Sequence, residues 1–131
     1  MGYREIEHLS DRAIVVTAPS LAGLFADAAA GMYAVMDVLT GSETASRDLE
    51  IKGFDWETLL VGFLSECLNI AELDRLAVQS MEISFEPERC RARLQLARIT
   101  SMHENIKAVT YSQMKIVQKD GNFETIIVFD L

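Results

Sequence analysis

The sequence predicts an α+β domain: a largely antiparallel sheet with two amphipathic helices packed on one face. Three observations carry this. Residues 21–39 and 56–71 repeat apolar side chains at three- and four-residue intervals, which marks one face of a helix. From Leu76 onward the period falls to two, as in strands with one wet and one buried face. Near the end, Lys119-Asp120-Gly121-Asn122 contains the Asp-Gly pair that accepts the positive φ of a tight hairpin turn. A chain of 131 residues, half of them hydrophobic, is a single domain over 1–131 with room for a core.

In chain order, residues 3–7 form a short strand and residues 8–12 a connection. Residues 13–18 are a β-branched second strand. Pro19 ends it, and Ser20 is placed to cap the first helix. That helix runs to Thr40-Gly41. Residues 41–47, GSETASR, read as a polar loop before a third strand at 49–54. Asp55 caps the second helix, with Trp56 as a packing anchor at its start. Met81, Ile83 and Phe85 alternate with polar residues, Pro87-Glu88 makes a turn, and Cys90, Ala92, Leu94 and Leu96 alternate with Arg89, Arg91, Arg93 and Gln95. The last segment is a hairpin with arms at 108–118 and 123–129.

The net charge of −8 argues against strong binding to nucleic acid by this chain alone and favours cations or basic protein surfaces. The start lacks a signal-peptide core and no stretch has the length of a membrane span, so the expected location is the cytoplasm. Cys67 and Cys90 lack metal-ligand spacing and read as reduced, buried thiols. No nucleophile motif or Gly-rich phosphate loop is present, so a standard enzyme is not indicated.

The carboxylates are the first candidates for chemistry. Asp130 and the chain's α-carboxylate at Leu131 close an apolar strand one residue apart, where they repel unless a cation joins them. Asp11 lies in the connection after the first strand. If the first and last strands are neighbours, three hard oxygen donors converge in a set suited to Ca²⁺ or Mg²⁺. Spacing alone does not bring them together, and an Asp in a turn commonly serves as a turn former. His8 and His103 have no partner at metal spacing and read as surface or hydrogen-bonded groups. Arg89, Arg91 and Arg93 form either a solvated face or a docking strip for an acidic partner.

The block IKAVTYSQMKI, its Gly-containing turn and the closing IIVFDL resemble the C-terminal signature of the archease family. YREIEHLSDRAI is similar to that family's opening stretch, and residues 21–39 and LLVGFLSECLNIAE stand where the family has its helices. The resemblance spans nearly the whole chain. It implies an accessory protein, not itself an enzyme, that speeds guanylylation and allows multiple turnover of a GTP-dependent RNA-splicing ligase. It implies a divalent cation (Ca²⁺, Mg²⁺ or Mn²⁺) held by Asp11, Asp130 and the Leu131 carboxylate, with Lys107 and His8 as further functional residues. Departures from the family pattern are Arg12 beside Asp11, Ala13 in place of a Gly, and Thr100, Asn105 and Ser112 at positions usually His, acidic and His. The alternative on the same fold is a metal-independent interaction or chaperone-like module with another client.

Overall fold

Both helices start where the capping residues place them. Ser20 accepts a hydrogen bond from the Gly23 N–H at 3.0 Å and opens α1, Leu21–Val35. Asp55 accepts one from the Thr58 N–H at 2.8 Å and opens α2, Trp56–Asp74. α1 stops short of the expected Thr40. Asp37 turns left-handed at φ 56°, a conformation that Asp tolerates better than most residues. Met36 stays fully buried all the same, so the apolar period runs on past the last helical turn.

The structure, a computed structural model, describes residues 2–6 and 11–131. His8 and most of the 8–12 connection therefore lie outside the described residues. The strands are antiparallel throughout, but they divide between two sheets. The first sheet orders β1 (Gly2–Ile6), β2 (Arg12–Ala18), β8 (Asn122–Asp130) and β6 (Ala108–Thr110), with β7 (Val117–Lys119) also on β8. The second orders β3 (Leu39–Lys52), β5 (Arg89–Ser101) and β4 (Leu76–Glu86).

The helices touch both sheets. α1 packs on β1, β2 and β8 of one and on β4 of the other, while α2 packs on β3, β4, β5 and β6. This explains why α1 is buried well beyond one stripe, with Leu24, Phe25, Ala28 and Met32 fully enclosed. At the junction, Phe25 meets Phe63 of α2 with ring centroids 5.6 Å apart and Phe85 of β4 edge-on at 5.0 Å.

Two expectations need correction. The polar stretch 41–47 is not a loop; it belongs to β3. As an edge strand, β3 is held by its backbone ladder to β5, and its first half has exposed side chains on both faces, so no apolar alternation shows. Irregular register between Leu39 and Ala45 further blurs the period. The first arm of the terminal hairpin is likewise two short strands, β6 and β7, separated at residues 111–116. Glu57 draws this break inward by accepting a 2.8 Å hydrogen bond from the Ile116 N–H, and Thr125 Oγ1 accepts one from the Lys115 N–H at 3.2 Å. The turn itself forms as expected: Asp120 and Gly121, at φ 52° and 79°, connect the paired residues Lys119 and Asn122.

Candidate functional site

β8 is the middle strand of the first sheet, and its end collects the candidate residues. Its register with β2 ends in the pair Arg12–Phe129, and Asp11 and Asp130 are the next residues beyond that pair. On the other side β6 pairs Ala108 with Asp130, and the Lys107 N–H donates to the Asp130 carbonyl at 2.8 Å. The condition set by the sequence, that the first and last strands be neighbours, is not met: β2 lies between β1 and β8, and it is the start of β2, just after Asp11, that pairs with the end of β8. Asp130 and Lys107 are exposed, while Asp11 and Leu131 are half-buried. Leu131 packs its side chain against the core, which anchors the end of the chain.

The segment bearing Lys107 is positioned from α1. The N–H groups of His103 and Glu104 both donate to the Met36 carbonyl at 3.1 Å, and Ile106 is buried, so the chain is pinned on each side of Asn105. His103 Nδ1 lies 3.2 Å from an Asp37 carboxylate oxygen, on the surface and away from the carboxylate pair of β2 and β8 in the chain's connectivity.

Arg12, the first residue of β2, stands beside Asp11 in sequence. Its guanidinium forms a two-pronged ion pair with Glu5, one arm at 2.7 Å. The Glu5 hydrogen bond holds the guanidinium above its ordinary pKa, with Glu104 adding a weaker attraction, and Arg12 in turn lowers the Glu5 carboxyl. Glu5 and Glu104 were not singled out from the sequence. Their part in the site comes from register and loop anchoring, which leave no local motif. Ala13, the residue in place of a Gly, is fully buried in regular strand without a positive φ, so the backbone there does not require glycine.

The donor chemistry fits a hard cation: oxygen ligands only, all anionic. Among the described residues no three His, Cys, Asp or Glu side chains cluster closely enough to hold a metal ion. Thiol chemistry is excluded. Both cysteines are free and buried, and burial pushes the Cys67 thiol up to about 12 and the Cys90 thiol to about 11, so neither supplies a thiolate at neutral pH.

The arginine row of β5 lies among carboxylates. Arg89 and Arg91 approach Glu50 at 3.4 and 3.1 Å, Arg91 also approaches Glu86 at 3.4 Å, and Arg93 bonds Asp48 at 3.0 Å. The face is a charge-balanced ladder running across all three strands of its sheet. Among the described residues no helix is long and apolar enough to cross a membrane.

Known proteins share this fold. The sequence profile described as the archease protein family matches residues 3–131. The chain is similar to protein archease of Methanopyrus kandleri, 26% identical over 150 aligned positions that cover all of both chains. It is also similar to protein archease of Pyrococcus abyssi, 27% identical over 139 positions and 98% of each. Its fold matches a solution structure of a Methanobacterium thermoautotrophicum protein with a TM-score of 0.78, at 23% identity over 99% of each chain. It matches the crystal structure of an archease from Thermotoga maritima with a TM-score of 0.72, at 19% identity over 98% of this chain and 96% of that one. The chain belongs to the archease family.

Proposed function

We propose that this chain is a cytoplasmic protein cofactor that binds a hard divalent cation and promotes guanylylation and repeated turnover of a GTP-dependent RNA-splicing ligase. The observation that supports the reading is the register that pairs Arg12 with Phe129, so that Asp11 and Asp130 are the next residues beyond that pair, with the Lys107 N–H bonded to the Asp130 carbonyl. Two carboxylates facing each other across a strand pair are unfavourable by themselves, and a divalent cation turns that repulsion into affinity.

In this reading Asp11, Asp130 and the Leu131 carboxylate hold Ca²⁺, Mg²⁺ or Mn²⁺, which when bound supplies positive charge to the phosphates of a nucleotide in the ligase. The rigid end of β8 fixes the two aspartates, since three strands meet there and Phe129 beside them is fully buried. Lys107, exposed at the rim, places an ammonium where it can offset phosphate charge. Arg12 is held in an ion pair by Glu5. The chain itself contributes no nucleophile and acts only on its client.

The test is the rate of ligase guanylylation with GTP and Mn²⁺, using the chain with an unmodified C-terminus. Substoichiometric protein is expected to stimulate the ligase. Asp130→Ala, or one residue added after Leu131, is expected to reduce stimulation by about 10- to 100-fold or more. An Asp130→Ala protein that stimulates as well as the wild type refutes the reading.

A further inference from the structure

At the end of β8 farthest from Asp130, aromatic side chains stand in water. Phe54, between β3 and α2, is 78% exposed, and Trp56 at the start of α2 is 39% exposed. Trp56 meets Phe123 of β8 edge-on, with ring centroids 5.6 Å apart, which fixes its orientation. Phe54 and Trp56 line a pocket of about 390 Å³ together with Phe85, Pro87 and Ile116. Its walls are braced from two directions. The Ile116 N–H donates to Glu57 at 2.8 Å, and the Gly53 N–H donates to the Glu88 carbonyl at 3.1 Å.

Every charged residue lining the pocket is acidic: Asp55, Glu57, Glu86 and Glu88. Asp55 caps α2, Glu57 holds Ile116, and Glu86 reaches Arg91 at 3.4 Å. Glu88 sits at a positive φ of 61° on the β4–β5 turn, exposed at the rim. A preformed aromatic floor inside an anionic rim is complementary to one kind of occupant. A second copy would set two such rims together in a protein whose net charge is already −8. Nucleic acid and anionic lipid surfaces are repelled for the same reason.

We propose that this pocket docks a segment of a partner protein carrying an aliphatic or aromatic anchor flanked by lysines or arginines. The anchor fills the space between Phe54 and Trp56, and the basic flanks meet Glu86 and Glu88. Aromatic side chains at the centre with charges on the rim are the usual anatomy of a small recognition site. The surface is separate from the carboxylate pair of β2 and β8. Phe123 and Asp130 lie on one strand about 23 Å apart, well beyond the screening length of physiological salt.

Trp56 is the sole tryptophan, so its fluorescence reports occupancy directly. The probes are short acetylated peptides without Trp: one with a central Leu between Lys and Arg pairs, one with Gly at the centre, and one with Glu in both flanks. The basic Leu peptide is expected to give a saturable change in Trp56 emission that weakens as salt is raised. Replacing the Leu by Gly, or introducing Phe54→Ser, is expected to weaken binding by about tenfold or more, with a smaller loss for Glu88→Gln. Both substituted residues are exposed, and circular dichroism verifies the fold of each variant. No saturable change with the basic peptide, or equal binding of the Glu-flanked peptide, overturns the proposal. So does a wild-type dimer in sedimentation equilibrium that Phe54→Ser dissociates, since the occupant is then a second copy.

Discussion

Across the second sheet Arg89, Arg91 and Arg93 of β5 find opposite charges: Arg89 approaches Glu50, Arg93 bonds Asp48, and Arg91 lies between Glu50 and Glu86. Across the first sheet, the residues one step past the Arg12–Phe129 pair are two aspartates, Asp11 and Asp130. Both sheets are antiparallel ladders of the same kind, so the contrast comes from residue choice alone. Opposite charges across strands help a sheet, and like charges burden it by about 0.2–1 kcal/mol a pair. In the function proposed above, the two aspartates are where a cation would bind. The balanced ladder asks for no ligand.

The largest effect expected along β8 comes from Phe129, not from its neighbour. Phe129→Ala removes a fully buried ring from the core and is expected to cost about 3–5 kcal/mol, enough to threaten folding, as read from the urea midpoint. Asp130→Asn inverts that pattern. In EDTA it is expected to leave stability unchanged or raise it by a few tenths of a kcal/mol, as like-charge repulsion is relieved. Added Ca²⁺ or Mn²⁺ is expected to raise the melting temperature of the wild type only. A loss of stability in EDTA would show that the Asp11–Asp130 pairing is structural and would erase the contrast between the sheets.

The smallest effect lies in the balanced ladder. Arg93 holds the Asp48 carboxyl below its ordinary value of 3.8, first through its hydrogen bond and then through its charge. A lowered folded-state pKa makes the pair stabilising above that value and lets the benefit fade as the pH falls through it. Both groups stand in water, so Asp48→Asn is expected to leave the urea midpoint at neutral pH within error, and high salt should remove any residue of the effect. A clear midpoint shift would show that the ladder is more than surface balance.

The helices were legible because burial imposes a period on them and their caps are local. Ser20 and Asp55 announce α1 and α2 by residue type alone. β3 was not legible over GSETASR, because an edge strand with both faces wet is specified by its partner's backbone and not by its own side chains. The division into two sheets was hidden for a related reason: alternation says that a strand has a buried face, not which sheet supplies the neighbour. Asp130 and Leu131 stood out as paired anions, but whether Asp11 approaches them depends on register between distant segments. From the residues that approach was only a condition on which strands are neighbours, and the family resemblance implied it. Phe54 and Trp56 looked like the close of a strand and a packing anchor. Trp56 does pack on Phe123, while the exposure of Phe54 follows from a chain path that no residue pattern records.

The pairing of β2 with β8 joins residue 12 to residue 129, whereas β4 and β5 join through the tight turn at Pro87-Glu88. The entropy of closing a loop grows with its length, so the hairpin of the second sheet is cheap to form and the first sheet carries the longest closure in the molecule. Asp11 and Asp130 have no local route to each other. A partly folded chain can hold its arginine ladder intact while residues 11 and 130 are still far apart, so any site that needs both arises only after these distant segments have paired.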